Sequence, residues 1–199
     1  MISATREEWL LAAAELLRPL FVDKGIPLPD AMRIACGWPL GRRRGSPGRS
    51  HTIGQCFTRK ASGDGTSEIF ISPELDDAVT VLGVMIHEFI HAADDCRNGH
   101  RGPFRKMALS IGLRGPMRST RPGPELAERL NDLSKQLGPY PHARLDAAQV
   151  PGKQTTRLIK VVCDRQAHGY ATWTTRRWLD DGTTTCPCGS SMSEVTRRV

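Results

Sequence analysis

The pentapeptide His87-Glu88-Phe89-Ile90-His91 limits the local structure of this chain more than any other segment. On an α-helix, residues four positions apart share a face, so the imidazoles of His87 and His91 can reach one metal ion. Glu88 follows the first histidine directly and can address a water molecule on that ion. Zinc lowers the pKa of bound water to about 7, and a nearby carboxylate then helps to deliver hydroxide to a polarised carbonyl. The pattern predicts a helix that carries a catalytic zinc, with Glu88 as the general base of peptide hydrolysis.

A catalytic zinc site needs a third protein ligand, and His100 is the candidate. The ion lies beside the helix, so the chain has to turn back soon after His91. The segment Gly99-His100-Arg101-Gly102 supplies such a turn, because two glycines flank the histidine shortly after the expected helix end. We therefore predict a zinc site formed by His87, His91 and His100.

Three other candidates for the third ligand are not supported by the sequence. Asp95 continues the four-residue spacing, but a rise of ~1.5 Å per residue places it about 12 Å along the axis from His87. The metzincin spacing requires a glycine and a histidine where this chain has Asp94 and Arg97. A glutamate ligand on the next helix is excluded, since no glutamate follows the motif before Glu125. The alternative to a metal site is a pair of incidental histidines on a buried helix.

The rest of the pattern predicts an α+β fold. Thr5 and Glu8 have the spacing of a capping box before an amphipathic helix. Two strand-like segments, 51–58 and 67–72, are separated by turn-forming residues and can form a hairpin. Further helices are predicted from Pro73 or Asp77 to about Asp95, at 103–113 and at 125–137. We expect three parts: a peptidase domain at 1–138, a linker at 139–156 and a small β module at 157–199.

Length and composition favour a small protein that folds alone. The chain has 199 residues, of which 39% are hydrophobic, and its 28 Lys+Arg against 21 Asp+Glu give a net charge of +7. That excess favours acidic or phosphate-bearing partners. We find no export signal and no run of about 20 apolar residues that could span a membrane, so we expect a cytoplasmic location. Six cysteines in such a chain indicate metal ligands or free thiols rather than disulfides.

The motif and the segments around it resemble the core of the SprT-like zinc peptidases, a family that includes the eukaryotic protease Spartan. The resemblance rests on HExxH, on Gly99-His100 followed by Phe104, and on two upstream segments that look like the strands of phage and bacterial members: Ile53-Gly54-Gln55-Cys56 and Glu68-Ile69-Phe70-Ile71-Ser72-Pro73. It covers most of 5–111 and, more loosely, 158–192.

The resemblance implies a zincin-like α+β fold in which His87, His91 and His100 are the ligands and Glu88 is the base. It also implies that an edge strand, which we place at Glu68 to Ser72, binds the substrate by β-augmentation. The substrates implied are proteins held on nucleic acid.

The cysteines near the C-terminus predict a second zinc site of structural type. Family members often end in a zinc ribbon with two cysteine pairs, and here Cys163, Cys186 and Cys188 fall in the C-terminal module. The first pair is incomplete because Gln166 stands where a cysteine would repeat, so His168 is our candidate for the fourth ligand. The alternative is a module with free thiols and no metal. Cys36, Cys56 and Cys96 are expected to be small buried hydrophobic residues.

A basic stretch predicts weak, sequence-independent binding of DNA. From Arg97 to Pro124 the chain has seven basic residues and no acidic one, and we assign DNA contact to Arg114, Arg118 and Arg121. Two other functions stay open: a nucleic-acid-binding or adaptor protein that cleaves nothing, and a zinc hydrolase that acts on a non-peptide bond. The intact Glu88 favours an enzyme, because a purely structural zinc site needs no base.

Overall fold

A computed structural model of the chain describes residues 4–39, 52–146, 158–182 and 184–195. The chain forms two compact units, Met1–Gln149 and Val150–Val199. The described residues contain five α-helices and three small sheets, which confirms the α+β class. None of the helices in these ranges is long and apolar enough to cross a bilayer.

The first helix, α1 (Arg6–Val22), begins at the predicted capping box. Thr5 Oγ1 accepts a hydrogen bond from the backbone N–H of Glu8 at 3.2 Å, and the Glu8 carboxylate accepts one from the N–H of Thr5 at 3.1 Å. One face of α1 is buried and packs on the first unit's sheet and last helix. The largest residues of that face are Trp9, Leu10, Leu17 and Phe21.

A three-stranded sheet lies beside α1. Its strands are β1 (Met32–Cys36), β2 (Gly54–Phe57) and β3 (Ser67–Ile71), in the order β1-β3-β2. Strands β2 and β3 pair antiparallel as the predicted hairpin, and β1 pairs parallel with β3. Parallel pairing requires a long crossover connection, which leaves no local signal in the sequence.

This order of strands corrects one prediction. The segment Glu68 to Ser72 is not an edge strand, because β3 lies between β1 and β2 and is hydrogen-bonded on both sides. The reason is that Met32–Cys36 pairs with β3, and this parallel pairing has no local signal in the sequence. The edge of the sheet beside the metal motif is β2.

The helix with the metal motif is α2 (Ala78–Ala93), and it crosses the core next to β2. It starts at the later of the two predicted positions, because the Asp77 carboxylate accepts a hydrogen bond from the N–H of Thr80 at 2.7 Å. Ser72 instead closes a turn, in which its hydroxyl accepts from the N–H of Glu74 at 3.3 Å. The core side of α2 is fully apolar, and its largest buried residues are Leu82, Met85, Ile86, Phe89 and Ile90.

Two helices and a short hairpin complete the first unit. Helix α3 (Gly102–Ile111) leads into the hairpin of β4 (Leu113–Arg114) and β5 (Arg121–Pro122), and α4 (Pro124–Leu137) follows at once. Both helices match the predicted segments to within one or two residues. Residues beyond 138 still belong to this unit, since Tyr140 is buried against Trp9 with the ring centroids 5.0 Å apart.

The second unit is a small antiparallel sheet with one short helix. Its elements are β6 (Ile159–Cys163), β7 (Ala171–Thr174), α5 (Arg176–Asp181) and β8 (Met192–Glu194), with the strands in the order β7-β6-β8. Among the described residues of this unit, its core buries only Val161, Cys163, Cys186 and Met192. So small an apolar core needs a further source of stability, such as a metal.

Candidate metal centre

The three histidines predicted as zinc ligands lie together at the end of α2. His87 and His91 are one turn apart on this helix. Beyond the helix, Cys96 and Gly99 have φ angles of 57° and 52°, in the left-handed region, so the chain reverses direction and returns His100 to the helix face.

Their ligand nitrogens converge. His100 Nε2 lies 3.1 Å from His87 Nε2 and 3.2 Å from His91 Nε2. The buried ring of Phe104 packs against all three imidazoles, at centroid distances of 5.0, 4.4 and 5.0 Å from His87, His91 and His100. Phe104, in the first turn of α3, therefore forms an apolar support for the three imidazole rings.

The surroundings keep these imidazoles neutral. Burial, with the charges of the neighbouring histidines, lowers the pKa of His87 to about 3 and that of His91 to about 4. Burial, and then the positive charge of Arg118, lowers the pKa of His100. Neutral imidazole is the form that binds a metal ion, so all three residues hold their ligand nitrogens ready at neutral pH.

A threonine outside the motif holds the first ligand. The Nδ1 atom of His87 lies 2.8 Å from Oγ1 of Thr120, which stands at the end of the loop between β4 and β5. A metal ion on Nε2 would leave the proton on Nδ1, so that this N–H donates a hydrogen bond to the threonine hydroxyl. Such a bond to the far nitrogen fixes the tautomer and the orientation of a ligand histidine.

Glu88 is buried beside the edge strand. Its side chain is almost wholly inaccessible, with 5% exposure for the residue, and the backbone N–H of Cys56 donates a hydrogen bond to its carboxylate. Burial is the main cause that raises the pKa of Glu88 to about 8, and the nearby Cys96 thiol adds to it. A carboxyl with a raised pKa can take up and release a proton near neutral pH, as a general base must.

Gly54 allows helix and strand to approach this closely. A Cβ atom at Gly54 would lie 2.5 Å from Cγ1 of Val84 and 2.7 Å from Oε1 of Glu88, too close for any side chain. The glycine therefore places the β2 backbone directly over the carboxylate.

An open cleft of about 1050 Å³ runs over this centre. One wall is β2 with the residues before it, and the other is the loop that ends in Thr120 and β5. The three histidines and Glu88 form part of the lining, as do Arg118 and Arg121. The cleft is the size of a ligand pocket, and the ligand nitrogens are accessible from it.

Two cysteines with no predicted role also line the cleft. The Cys96 thiol lies 3.5 Å from the carbonyl oxygen of Cys56, and the two thiols are hydrogen-bonded to each other. This hydrogen bond, and then burial, raises the pKa of the Cys56 thiol, whereas the same bond lowers the pKa of Cys96. Cys36, Cys56 and Cys96 are each partly buried rather than fully buried as expected, and Cys36 and Cys56 pack against the apolar core.

The second predicted cluster is also assembled. Cys163, His168, Cys186 and Cys188 bring their ligand atoms within 4.8 Å of one another. The Sγ atoms of Cys163 and Cys188 are 3.6 Å apart, and Cys186 Sγ lies 3.2 Å from His168 Nδ1. The turn after Cys186 is tight, because the N–H of Gly189 donates to the Cys186 carbonyl at 2.8 Å and Gly189 has a φ of 82°.

The three arginines assigned to DNA contact differ in their hydrogen bonds and in their position relative to the cleft. The Arg114 guanidinium donates to the carbonyl of Leu109 on α3 at 3.2 Å and to that of Leu113 on its own strand at 3.0 Å. Arg118 and Arg121 are exposed on the wall of the cleft. Within the described ranges, neither of these two has an ion-pair partner.

The comparisons add no relative. Neither the protein-family models, nor the curated proteins, nor the solved structures contain a match to this chain. The interpretation of the site therefore depends on its own geometry.

Proposed function

We propose that this protein is a zinc-dependent peptidase of the SprT-like type. The observation that carries the proposal is the convergence of three neutral imidazoles beside a buried carboxylate, on the floor of an open cleft. A histidine cluster that served structure alone would need neither the carboxylate nor the opening.

The donor set fits zinc. With Zn–N distances of about 2.0–2.1 Å and tetrahedral angles, ligand nitrogens lie about 3.3 Å apart. The two Nε2 distances of 3.1 and 3.2 Å come close to this value without any rearrangement. Three protein ligands with an open fourth direction are typical of catalytic rather than structural zinc.

Bound there, zinc would act as a Lewis acid on the scissile carbonyl and would acidify water. The chain's own residues then handle the protons. Glu88 accepts a proton from the attacking water on its carboxylate and delivers it to the leaving amine nitrogen. In the metal-free chain burial raises the pKa of Glu88 to about 8, and the positive charge of a bound zinc ion would favour the carboxylate form that accepts this proton. His87, fixed by Thr120, keeps its Nε2 atom directed at the metal position.

Strand β2 offers an edge for the substrate backbone. The N–H of Ser72 donates to the carbonyl of Ile53 at 2.9 Å, so the backbone hydrogen-bonding groups of Ile53 face β3. In an antiparallel pair these groups alternate between the two sides of a strand. The N–H and C=O groups of Gly54 and Cys56 therefore point to the free side of β2. The N–H of Cys56 already donates a hydrogen bond to the Glu88 carboxylate, and the carbonyl oxygen of Cys56 accepts one from the Cys96 thiol. An extended peptide would therefore pair next to Gly54, which lies directly beside the catalytic carboxylate.

Two variants test the activity. Glu88→Gln deletes the base and leaves all three ligands, so zinc content should stay at the wild-type value while cleavage of casein, or cleavage of the protein by itself, is lost. His100→Ala should lose the zinc of this site together with activity. Glu128→Gln, at an exposed position on α4, is the matched control and should behave as wild type. Unchanged turnover by Glu88→Gln would reject the mechanism.

The same variants separate the two competing functions. A zinc-containing adaptor protein would bind zinc through His100 yet cleave no protein. A hydrolase of non-peptide bonds would spare casein but turn over a model ester in a Glu88-dependent manner.

We also propose that the substrates are proteins associated with nucleic acid. Support comes from the exposed basic stretch between Arg97 and Pro124 and from two exposed tryptophans in the second unit. Trp173 is 59% and Trp178 is 61% exposed, and the charges of Lys160 and Arg177 lie 5.9 and 5.5 Å from their ring centroids. Exposed rings beside cations suit stacking with unpaired bases. Binding would be electrostatic and indifferent to sequence, because contacts of basic side chains with phosphates carry no information about the bases.

A further inference from the structure

Two arginines of the cleft wall have no described partner. Arg118 and Arg121 lie on the segment that also carries Thr120, whose hydroxyl holds His87. The segment is anchored by the pairing of Arg114 with Arg121 and by a turn in which the N–H of Ser119 donates to the Pro116 carbonyl at 2.8 Å. Both guanidinium groups therefore project from a wall whose position relative to the histidines is fixed.

The exposed charges that line the cleft are all positive. The only carboxyl group among its lining residues is Glu88, which is buried and hydrogen-bonded to Cys56. Arg118 and His100 line the same cleft, so this positive charge lies in the cleft that contains the three histidines. A ligand in the cleft meets two unneutralised cations close to the reacting position and no exposed anion.

We infer that the cleft selects peptides with an acidic side chain next to the scissile bond, and that Arg118 and Arg121 bind its carboxylate. This inference rests on the peptidase function proposed above. A guanidinium presents a planar fork of N–H donors that matches a carboxylate in bidentate geometry. Peptides with lysine or arginine at the same position are repelled, so the pair also excludes substrates.

The rest of the lining suits a peptide better than a nucleic-acid backbone. Ile53, Val79, Val84 and Pro122 give the cleft apolar surface next to the two arginines. Apolar walls with a few placed charges are typical of sites that bind side chains. Phosphates of DNA would compete with the peptide carboxylate for these arginines.

The first experiment measures cleavage preference. A peptide library derived from a digested proteome is incubated with the zinc-loaded protein, and the residues around each cleaved bond are identified by mass spectrometry. Asp and Glu should be enriched about three- to tenfold at one position beside the bond, as expected for partly exposed charge pairs. The double variant Arg118→Gln/Arg121→Gln should lose the enrichment, and Arg118→Glu/Arg121→Glu should favour Lys and Arg there. Lys24→Gln/Arg144→Gln removes the same charge from exposed positions outside the cleft and should keep the wild-type preference.

The second experiment needs no cleavage. Binding of a labelled, C-terminally amidated hexaglutamate peptide is compared with that of the hexaglutamine peptide by fluorescence anisotropy, with wild type and with the same variants. Wild type should bind hexaglutamate more tightly, the Arg118/Arg121 variants should not, and the Lys24/Arg144 variant should. Repeating the titration with single-stranded DNA as competitor identifies a phosphate site.

The outcomes separate this inference from the proposed function. Discrimination between the two peptides without any cleavage leaves the acidic site standing and rejects the peptidase. Cleavage with no acidic preference, or a preference that survives Arg118→Gln/Arg121→Gln, rejects the acidic site and leaves the peptidase. Loss of DNA binding in that variant, with unchanged discrimination between the peptides, assigns the arginines to phosphate and overturns the inference.

Discussion

The Nδ1 atom of His87 and the Oγ1 atom of Thr120 are 2.8 Å apart, on the side of the imidazole opposite its ligand nitrogen. Thr120→Val keeps the shape of the side chain and removes the hydroxyl, so His87 loses its fixed tautomer and orientation. We expect zinc affinity to fall about 10- to 100-fold. Thr120→Ser keeps the hydroxyl and should restore most of the affinity. Competition with a fluorescent zinc chelator measures both variants, and equal weakening by Val and Ser would argue against an orienting hydroxyl.

The buried Glu88 predicts an unusual pH dependence of stability in the metal-free protein. Its pKa is about 8 in the folded state against 4.5 for the ordinary group, so between these values the folded state holds a proton that the unfolded state has lost. The contribution of Glu88 to stability is therefore present below pH 4.5 and is lost as the pH rises toward 8. Each pKa unit corresponds to about 1.4 kcal/mol.

In Glu88→Gln the carboxyl is replaced by an amide, which does not ionise between pH 5 and 8. Its melting temperature without metal should exceed that of wild type at pH 8, by about 2 to 4 °C per kcal/mol, and the difference should shrink as the pH approaches 5. Thermal unfolding monitored by circular dichroism after chelator treatment is the measurement. Glu128→Gln is exposed and should show a difference that does not vary with pH. A constant difference for Glu88→Gln would mean that this carboxyl ionises normally.

The C-terminal cluster predicts a second zinc ion. Elemental analysis of the purified chain should give two ions per molecule, one for the histidine site and one for Cys163, His168, Cys186 and Cys188. Cys186→Ser should reduce the count to one and unfold the second unit, whose apolar core is small. Cys36→Ser changes a cysteine outside both clusters and should keep two ions. One ion in wild type, unaltered by Cys186→Ser, would show a metal-free module.

The basic stretch predicts weak binding of single- and double-stranded DNA. Affinity should fall steeply between about 50 and 200 mM salt, with a log-log slope near −0.9 per phosphate neutralised on duplex DNA. Changing Arg114, Arg118 and Arg121 to Glu should abolish binding, because it reverses the local field near the cleft. The matched change of Lys24, Lys60 and Arg144 to Glu alters net charge equally and should weaken binding less. Equal loss in both variants would attribute binding to net charge alone.

Local chemistry was predictable from the sequence, and long-range pairing was not. The capping box of Thr5 and Glu8 and the ligands His87, His91 and His100 all depend on residues a few positions apart, whose geometry a helix or a turn fixes. Thr120 gave no signal, because a hydroxyl far along the chain reaches His87 only once the β4–β5 hairpin has packed.

The misplaced edge strand has the same origin. Glu68 to Ser72 and Gly54 to Phe57 look alike as short apolar segments, and only the parallel partner decides which of them lies inside the sheet. That partner, Met32–Cys36, follows a segment rich in glycine and proline, whose composition indicates an irregular loop. The contact between Cys56 and Cys96 joins β2 to the turn after α2, two distant segments, and was equally unpredictable from the sequence.

The two ligand clusters differ in how much of the chain they span, and this difference bears on how zinc would couple to folding. His87, His91 and His100 belong to one helix and the turn after it, so an unfolded chain keeps them near one another and can still hold zinc weakly. Binding to the unfolded state subtracts from the stability that a ligand confers. Cys163 and Cys186 are joined by a long loop, whose closure an unfolded chain resists. Zinc in the second unit would thus stabilise the folded state strongly. Zinc beside α2 would add reactivity and comparatively little stability.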